Sequence, residues 1–165
     1  MNSWYALYVK SKHEFITQRE LVKKDVETFL PVVRKLRQWK DRKKWIDFPL
    51  FSGYLFVNLE PRPESFHGVL RTVGAVNLLS LQPGHPTPVS AEEINSLKVL
   101  LESGKDHDVY PYLKEGKRIM IVRGPLRGAE GVLVQKEDQF MFLVNIEILG
   151  RSVGVRMYAG DLEAV

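Results

Sequence analysis

The residue types that carry most enzymatic chemistry are sparse and irregularly spaced in this chain. Its four histidines, His13, His67, His85 and His107, have no spacing that would set two on one helix face beside a carboxylate, so no metal site is expected. The 165 residues contain no cysteine, which excludes disulfides, thiolate zinc sites and cysteine nucleophiles. Gly116-Lys117 has the look of a phosphate-binding loop's end, but Pro111 stands where an earlier glycine is required and no Ser or Thr follows the lysine. It reads as a turn before a strand. No nucleophile elbow is present, and the acidic clusters are helix-capping pairs or the solvated Asp106 and Asp108. Neither catalysis nor a cofactor is expected.

Two features point to recognition instead. Between Arg34 and Lys44 there are seven Lys/Arg against the single acid Asp41, with Trp39 and Trp45 interleaved. Cations neutralise phosphates and aromatic faces stack on unpaired bases at ~1–3 kcal/mol each, a composition suited to single-stranded nucleic acid. A solvated hairpin with both tryptophans packed inward accounts for the same residues. The second feature is PLFSGYLFV, Pro49 to Val57, where alternation sends Tyr54 and Phe56 to one side of a strand and Leu55 and Val57 to the other. If one side is left uncovered, its aromatics form a partner surface with anchors worth ~2 kcal/mol or more. Burial of both sides is the alternative.

These residues need elements to position them. Trp4 to Lys10 is rich in aromatic and branched residues on both faces, as in a central strand. Ser11-Lys12-His13-Glu14 has capping-box spacing and predicts a helix over about Lys12 to Lys24, with Phe15, Val22 and Val26 on its buried stripe and Arg19 between them. Thr28 to Leu59 is strand-like, with Pro31 near its start and a turn at Lys40-Asp41-Arg42-Lys43, and Ser52-Gly53 is a bend before a buried strand. Pro63 to Thr72 suggests a short helix and Ala75 to Leu81 a strand, followed by a loop holding Pro83, Gly84, Pro86 and Pro88. A second capping box, Ser90 to Glu93, opens a helix with Ile94, Leu97, Leu100 and Leu101 on one face.

Residues 1–102 therefore read as one domain and the polar stretch 103–113, with Gly104 and Pro111, as a linker. In 114–165, alternating strands at Arg118–Arg123, Gly131–Lys136, Phe140–Leu149 and Ser152–Tyr158 predict a small β-barrel whose glycines make tight turns. The class is α+β. Charge follows the same division: residues 1–100 carry 15 Lys/Arg against 10 Asp/Glu, and residues 101–165 carry 9 against 10. A basic excess confined to the first part favours contact with a polyanion there. Apolar stretches are far short of the roughly 20 residues that cross a bilayer, so a cytoplasmic protein without membrane contact is expected.

WYALYVKSKHE at the start, PLFSGYLFV in the middle, PTPVSAEEI before the second capped helix and GKRIMIVRGPLRGAEGVLV near the end stand in an order and spacing that resemble the NusG family along nearly the whole chain. The first three segments are similar to its amino-terminal NGN domain, an antiparallel sheet with helices. Val122, Gly124, Pro125, Gly128 and Gly131 resemble a KOW motif in an SH3-like barrel. Tyr8 and Arg37 to Trp45 look more like the specialised paralogs of the RfaH and UpxY kind.

The resemblance implies a monomeric transcription elongation or antitermination factor without enzymatic activity. In the family the NGN domain docks on the clamp helices of the largest RNA polymerase subunit, reaches toward the gate loop of the second-largest, and suppresses pausing. Matching positions make Tyr8, Phe51, Tyr54 and Phe56 the polymerase-binding residues and put Ser65 to Gly68 toward the gate loop. Contact with the non-template DNA strand would fall to Lys10, His13, Lys23, Lys40, Arg42, Arg71 and Thr72. Leu149, Gly150 and Arg151 match the KOW position that recruits Rho or a small-subunit ribosomal protein. KOW domains also occur in ribosomal proteins, so a stand-alone RNA-binding or ribosome-associated module is the alternative.

Overall fold

A computed structural model describes residues 1–112, 116–136 and 139–157, and the chain divides into two units, Met1–Pro88 and Val89–Val165. The first unit runs β1 (Ser3–Val9), α1 (Glu14–Lys23), β2 (Glu27–Phe29), β3 (Val32–Trp39), β4 (Arg42–Pro49), β5 (Tyr54–Leu59), α2 (Pro63–Leu70) and β6 (Ala75–Leu78). Strands β2, β5, β1 and β6 form an antiparallel sheet in that order, so β1 is interior, as its two apolar faces require. Tyr5, Leu7 and Val9 of β1 and Leu55, Val57 and Leu59 of β5 share one face and join Leu21 of α1, Val69 of α2 and Leu78 of β6 in the core. Each such side chain contributes about 1.5–3 kcal/mol on full burial. The opposite face carries the pairs Trp4 with Asn58, Ala6 with Phe56, and Tyr8 with Tyr54.

Helix α1 departs from the sequence expectation in two ways. Ser11 does not cap it: His13 is the N-cap residue and makes no side-chain cap bond. The buried face is Glu14, Thr17 and Leu21, whereas Phe15 and Val22, expected inside, are exposed. The reason is partners far along the chain. The Thr17 hydroxyl donates to the Val73 carbonyl at 2.8 Å, and the Glu14 carboxylate accepts the Gly53 N–H at 2.8 Å. Strands β3 and β4 make a separate two-stranded ribbon whose turn is only Lys40-Asp41, with Lys40 at φ +49°.

The second unit contains α3 (Ala91–Glu102), β7 (His107–Pro111), β8 (Lys117–Met120), β9 (Glu130–Lys136), β10 (Gln139–Ile146), a 3-10 turn (Glu147–Leu149) and β11 (Arg151–Met157). Its antiparallel sheet runs β7-β11-β10-β9-β8. The stretch 103–113, expected to be a connector, holds β7, which pairs along β11 from His107 to Pro111. Helix α3, expected in the first domain, groups with the second unit because the Ser96 hydroxyl accepts the Glu130 N–H at 2.9 Å and Glu93 accepts the Glu147 N–H at 3.2 Å. Its N-terminus is capped as expected by Ser90, which accepts the Glu92 N–H at 3.2 Å. Leu113 of the expected linker and Tyr158 of the last expected strand lie outside the described residues.

Candidate functional site

Gly53 organises the neighbourhood of Tyr8. It sits at φ +89°, a conformation that favours glycine, donates its N–H to Glu14, and accepts the Val9 N–H at 2.8 Å. A Cβ at this position would stand 3.2 Å from the Tyr8 ring, so the bare backbone is the surface on which that ring rests. Tyr8 is 42% exposed, and its ring centroid lies 5.4 Å from that of half-buried Tyr54 on the last β1–β5 rung. Beside this pair a groove of about 610 Å³ is lined by Tyr8, Phe15, Phe48, Pro49 and Gly53, among others. An exposed tyrosine packed on a half-buried one, beside a groove whose lining also includes Lys12, Glu14 and Asp47, is suited to an amphipathic protein segment.

The other two expected docking aromatics are not on this surface. Phe51 is 1% exposed and Phe56 is fully buried. Phe56 stacks on Phe29 at 6.0 Å between centroids, and the Phe51 carbonyl closes the turn by accepting the Tyr54 N–H at 3.1 Å. Both are interior, Phe51 because the bend at Ser52-Gly53 turns it inward and Phe56 because the Phe29 ring of the neighbouring β2 packs on it. Phe15, expected on the buried stripe of α1, is instead exposed and lines this groove with Phe48 and Pro49, none of which the sequence marks as a docking position.

Several expected DNA-contacting positions come together at one edge. The Lys10 N–H donates to the Gly74 carbonyl at 2.8 Å, and a Cβ on Gly74 would reach 2.9 Å from the His13 Cβ, which places Lys10 and His13 against the loop after Arg71. Lys10 and Arg71 are exposed, and Lys23 is held by Glu20 at 3.1 Å in an exposed pair. Thr72 is buried; its hydroxyl donates to the Gly68 carbonyl at 3.2 Å and accepts from Lys24 at 3.0 Å, so its role is to fasten α1 to α2. Lys40 and Arg42 stand apart from this edge, at the exposed tip of the β3–β4 ribbon. Ser65 to Gly68 form part of α2, with Ser65 half-buried and Gly68 exposed.

In the second unit the expected KOW residues form one turn and its return strand. The Gly128 N–H donates to the Ile121 carbonyl at 2.8 Å, and Gly124 and Gly128 adopt φ +82° and +90° around exposed Pro125, next to half-buried Val122. Gly131 is required for another reason: a Cβ there would overlap the Leu143 carbonyl oxygen and stand 2.9 Å from the Phe142 ring. Leu149 and Arg151 are half-buried on either side of Gly150, whose φ of +62° ends the 3-10 turn. Among the described residues no group of three or more His, Asp or Glu is placed to hold a metal ion.

Comparison with known proteins bears on this arrangement. The family described as NusG, transcription termination factor nusG, matches residues 2–98. The transcription termination/antitermination protein NusG of Haemophilus influenzae is 20% identical over 158 residues, covering 92% of this chain and 83% of that protein. Its namesake from Chlamydia trachomatis is 28% identical over 171 residues, covering 94% and 90%. Among solved structures, one titled "Domain interaction in Thermotoga maritima NusG" aligns over 98% of this chain and 96% of that one, with 23% identity and a TM-score of 0.49. The family match spans more than half of the sequence and takes in the β1, Gly53 and Tyr54 region described above, so the chain belongs to the NusG family of transcription termination and antitermination factors.

Proposed function

We propose that this protein is an elongation or antitermination factor, specialised in the manner of RfaH and UpxY, that attaches to RNA polymerase through the groove beside Tyr8 and Tyr54. The observation that carries the reading is the exposed Tyr8 ring resting on Gly53 and packed beside Tyr54, at the positions where the family resemblance locates polymerase docking. Bound on the clamp helices of the largest subunit, with Ser65 to Gly68 toward the gate loop of the second-largest, the first unit braces the clamp over the DNA cleft. Binding free energy then biases the polymerase away from its paused state, and no bond is made or broken. Lys10, His13, Lys23 and Arg71, with Lys40 and Arg42 on the ribbon, face the non-template strand, while Thr72 holds the loop that carries Arg71. Leu149, Gly150 and Arg151 form the contact for Rho or a small-subunit ribosomal protein. The protein acts in the cytoplasm as a monomer.

Transcription in vitro on a template with a defined pause, with and without Rho, tests this reading. The purified protein is expected to shorten the pause or raise read-through. Unchanged pausing and termination at saturating protein, together with retention on ribosomes in place of polymerase, would replace it with a ribosome-associated role.

A further inference from the structure

The ribbon formed by β3 and β4 has two chemically different faces. Residues directly opposed across an antiparallel pair project to the same side, so the rungs Val33–Phe48, Lys35–Ile46, Arg37–Lys44 and Trp39–Arg42 make one face, and Val32–Pro49, Arg34–Asp47, Leu36–Trp45 and Gln38–Lys43 the other. The first face holds four cations and no acid. The second holds Arg34 beside Asp47 at 3.6 Å, leaving Lys43 as its remaining cation next to Leu36 and Trp45. Two contacts agree with this division: Arg37 lies over the Phe48 ring at 4.9 Å, on the first face, and Arg34 meets Asp47 on the second. Trp39, at the tip of the first face, is 60% exposed, and Trp45 on the second is 58% exposed, so neither tryptophan is packed inward.

We infer that the face bearing Lys35, Arg37, Trp39, Arg42 and Lys44 is a binding site for single-stranded DNA. It rests on the reading above, which places a displaced DNA strand near this unit, and it names the ribbon face and the stacking residue that engage that strand. Cation-bearing rungs recur every two residues, roughly 7 Å along the ribbon, and track the phosphate backbone. The Trp39 ring, at the end of that track, accepts an unpaired base; duplex DNA offers phosphates but no free base face. Trp45 is equally exposed and equally aromatic, yet its face lacks the cation track, so it serves as an internal control.

The test is fluorescence anisotropy of a labelled oligothymidine with the full chain, in the absence of polymerase. Trp39→Ala is expected to weaken binding by roughly 5- to 150-fold, the range of one lost stacked base, and Trp39→Phe to restore most of it. Trp45→Ala should stay within about twofold of the parent. Lys44→Glu should weaken binding more than Lys43→Glu, although the two make the same change in net charge one residue apart. Equal effects of the two tryptophan substitutions, equal effects of the two lysine reversals, duplex bound as tightly as the single strand, or a uridine oligomer bound more tightly than oligothymidine would each overturn the assignment. Polymerase binding by Trp39→Ala, measured in parallel, separates the two readings: loss of oligothymidine binding with polymerase binding retained assigns the defect to this face alone.

Discussion

Glu14 is the residue on which the proposed docking surface most depends, a largely buried carboxylate in the wall of the groove. Its carboxylate reaches across 39 residues to accept the Gly53 N–H, and that bond fixes the left-handed turn beneath Tyr8. Removing the acceptor leaves a buried amide unsatisfied, at a cost of about 1–3 kcal/mol. Glu14→Ala is therefore expected to lower unfolding stability by that amount in urea titration, and Glu14→Gln, which keeps a carbonyl acceptor, by less. Equal stability of Glu14→Ala and the parent would show that the bond is incidental. At this scale local spacing points to the wrong partner. Glu14 stands three residues after Ser11, which suggests a cap, but the carboxylate is used by a distant glycine. Phe51 shows a second limit: the family resemblance nominates it for the docking surface, whereas the Ser52-Gly53 bend turns it inward.

The elements were more legible than their orientations. The interior position of β1, the basic hairpin, the Ser90 cap of α3 and the glycine-rich turn after β8 all follow from local pattern. The buried side of α1 does not, since Thr17 and Glu14 are drawn inward by partners at Val73 and Gly53 that no helical periodicity reveals. Helix α3 illustrates the same limit, because its attachment to the β9–β10 region is made by polar groups. One of these, Glu93, has its pKa raised above the ordinary 4.5 by burial, aided by repulsion from the Glu147 carboxylate and opposed by the Glu147 N–H and Arg118. A carboxyl whose folded pKa is raised stabilises the fold fully below the unfolded value, and that contribution is lost as pH rises through the higher folded value. Glu93→Gln, which cannot ionise and retains an acceptor for the Glu147 N–H, is accordingly expected to melt above the parent at pH 7. The difference should shrink toward pH 4, as followed by thermal denaturation. A gap that widened on acidification would contradict this sign.

For the whole molecule, membership of the NusG family rests on the match over residues 2–98, and the basic excess confined to residues 1–100 agrees with a nucleic-acid role for that part. Family membership does not by itself locate attachment, because two of the four aromatics that the resemblance nominates are interior. The docking claim therefore narrows to Tyr8 and Tyr54 with the groove between α1 and the base of the ribbon. Phe51→Ala is a poor probe of that claim, since a buried phenylalanine lost from a core costs about 3–5 kcal/mol and would act through the fold. Tyr8→Ala is cleaner, as the ring is 42% exposed. The most direct measurement is the affinity of the full chain and of Tyr8→Ala for purified core RNA polymerase, with thermal melting of both to confirm folding. A single aromatic anchor worth ~2 kcal/mol predicts binding about thirtyfold weaker in the variant; unchanged affinity in a folded Tyr8→Ala protein would contradict attachment through this surface.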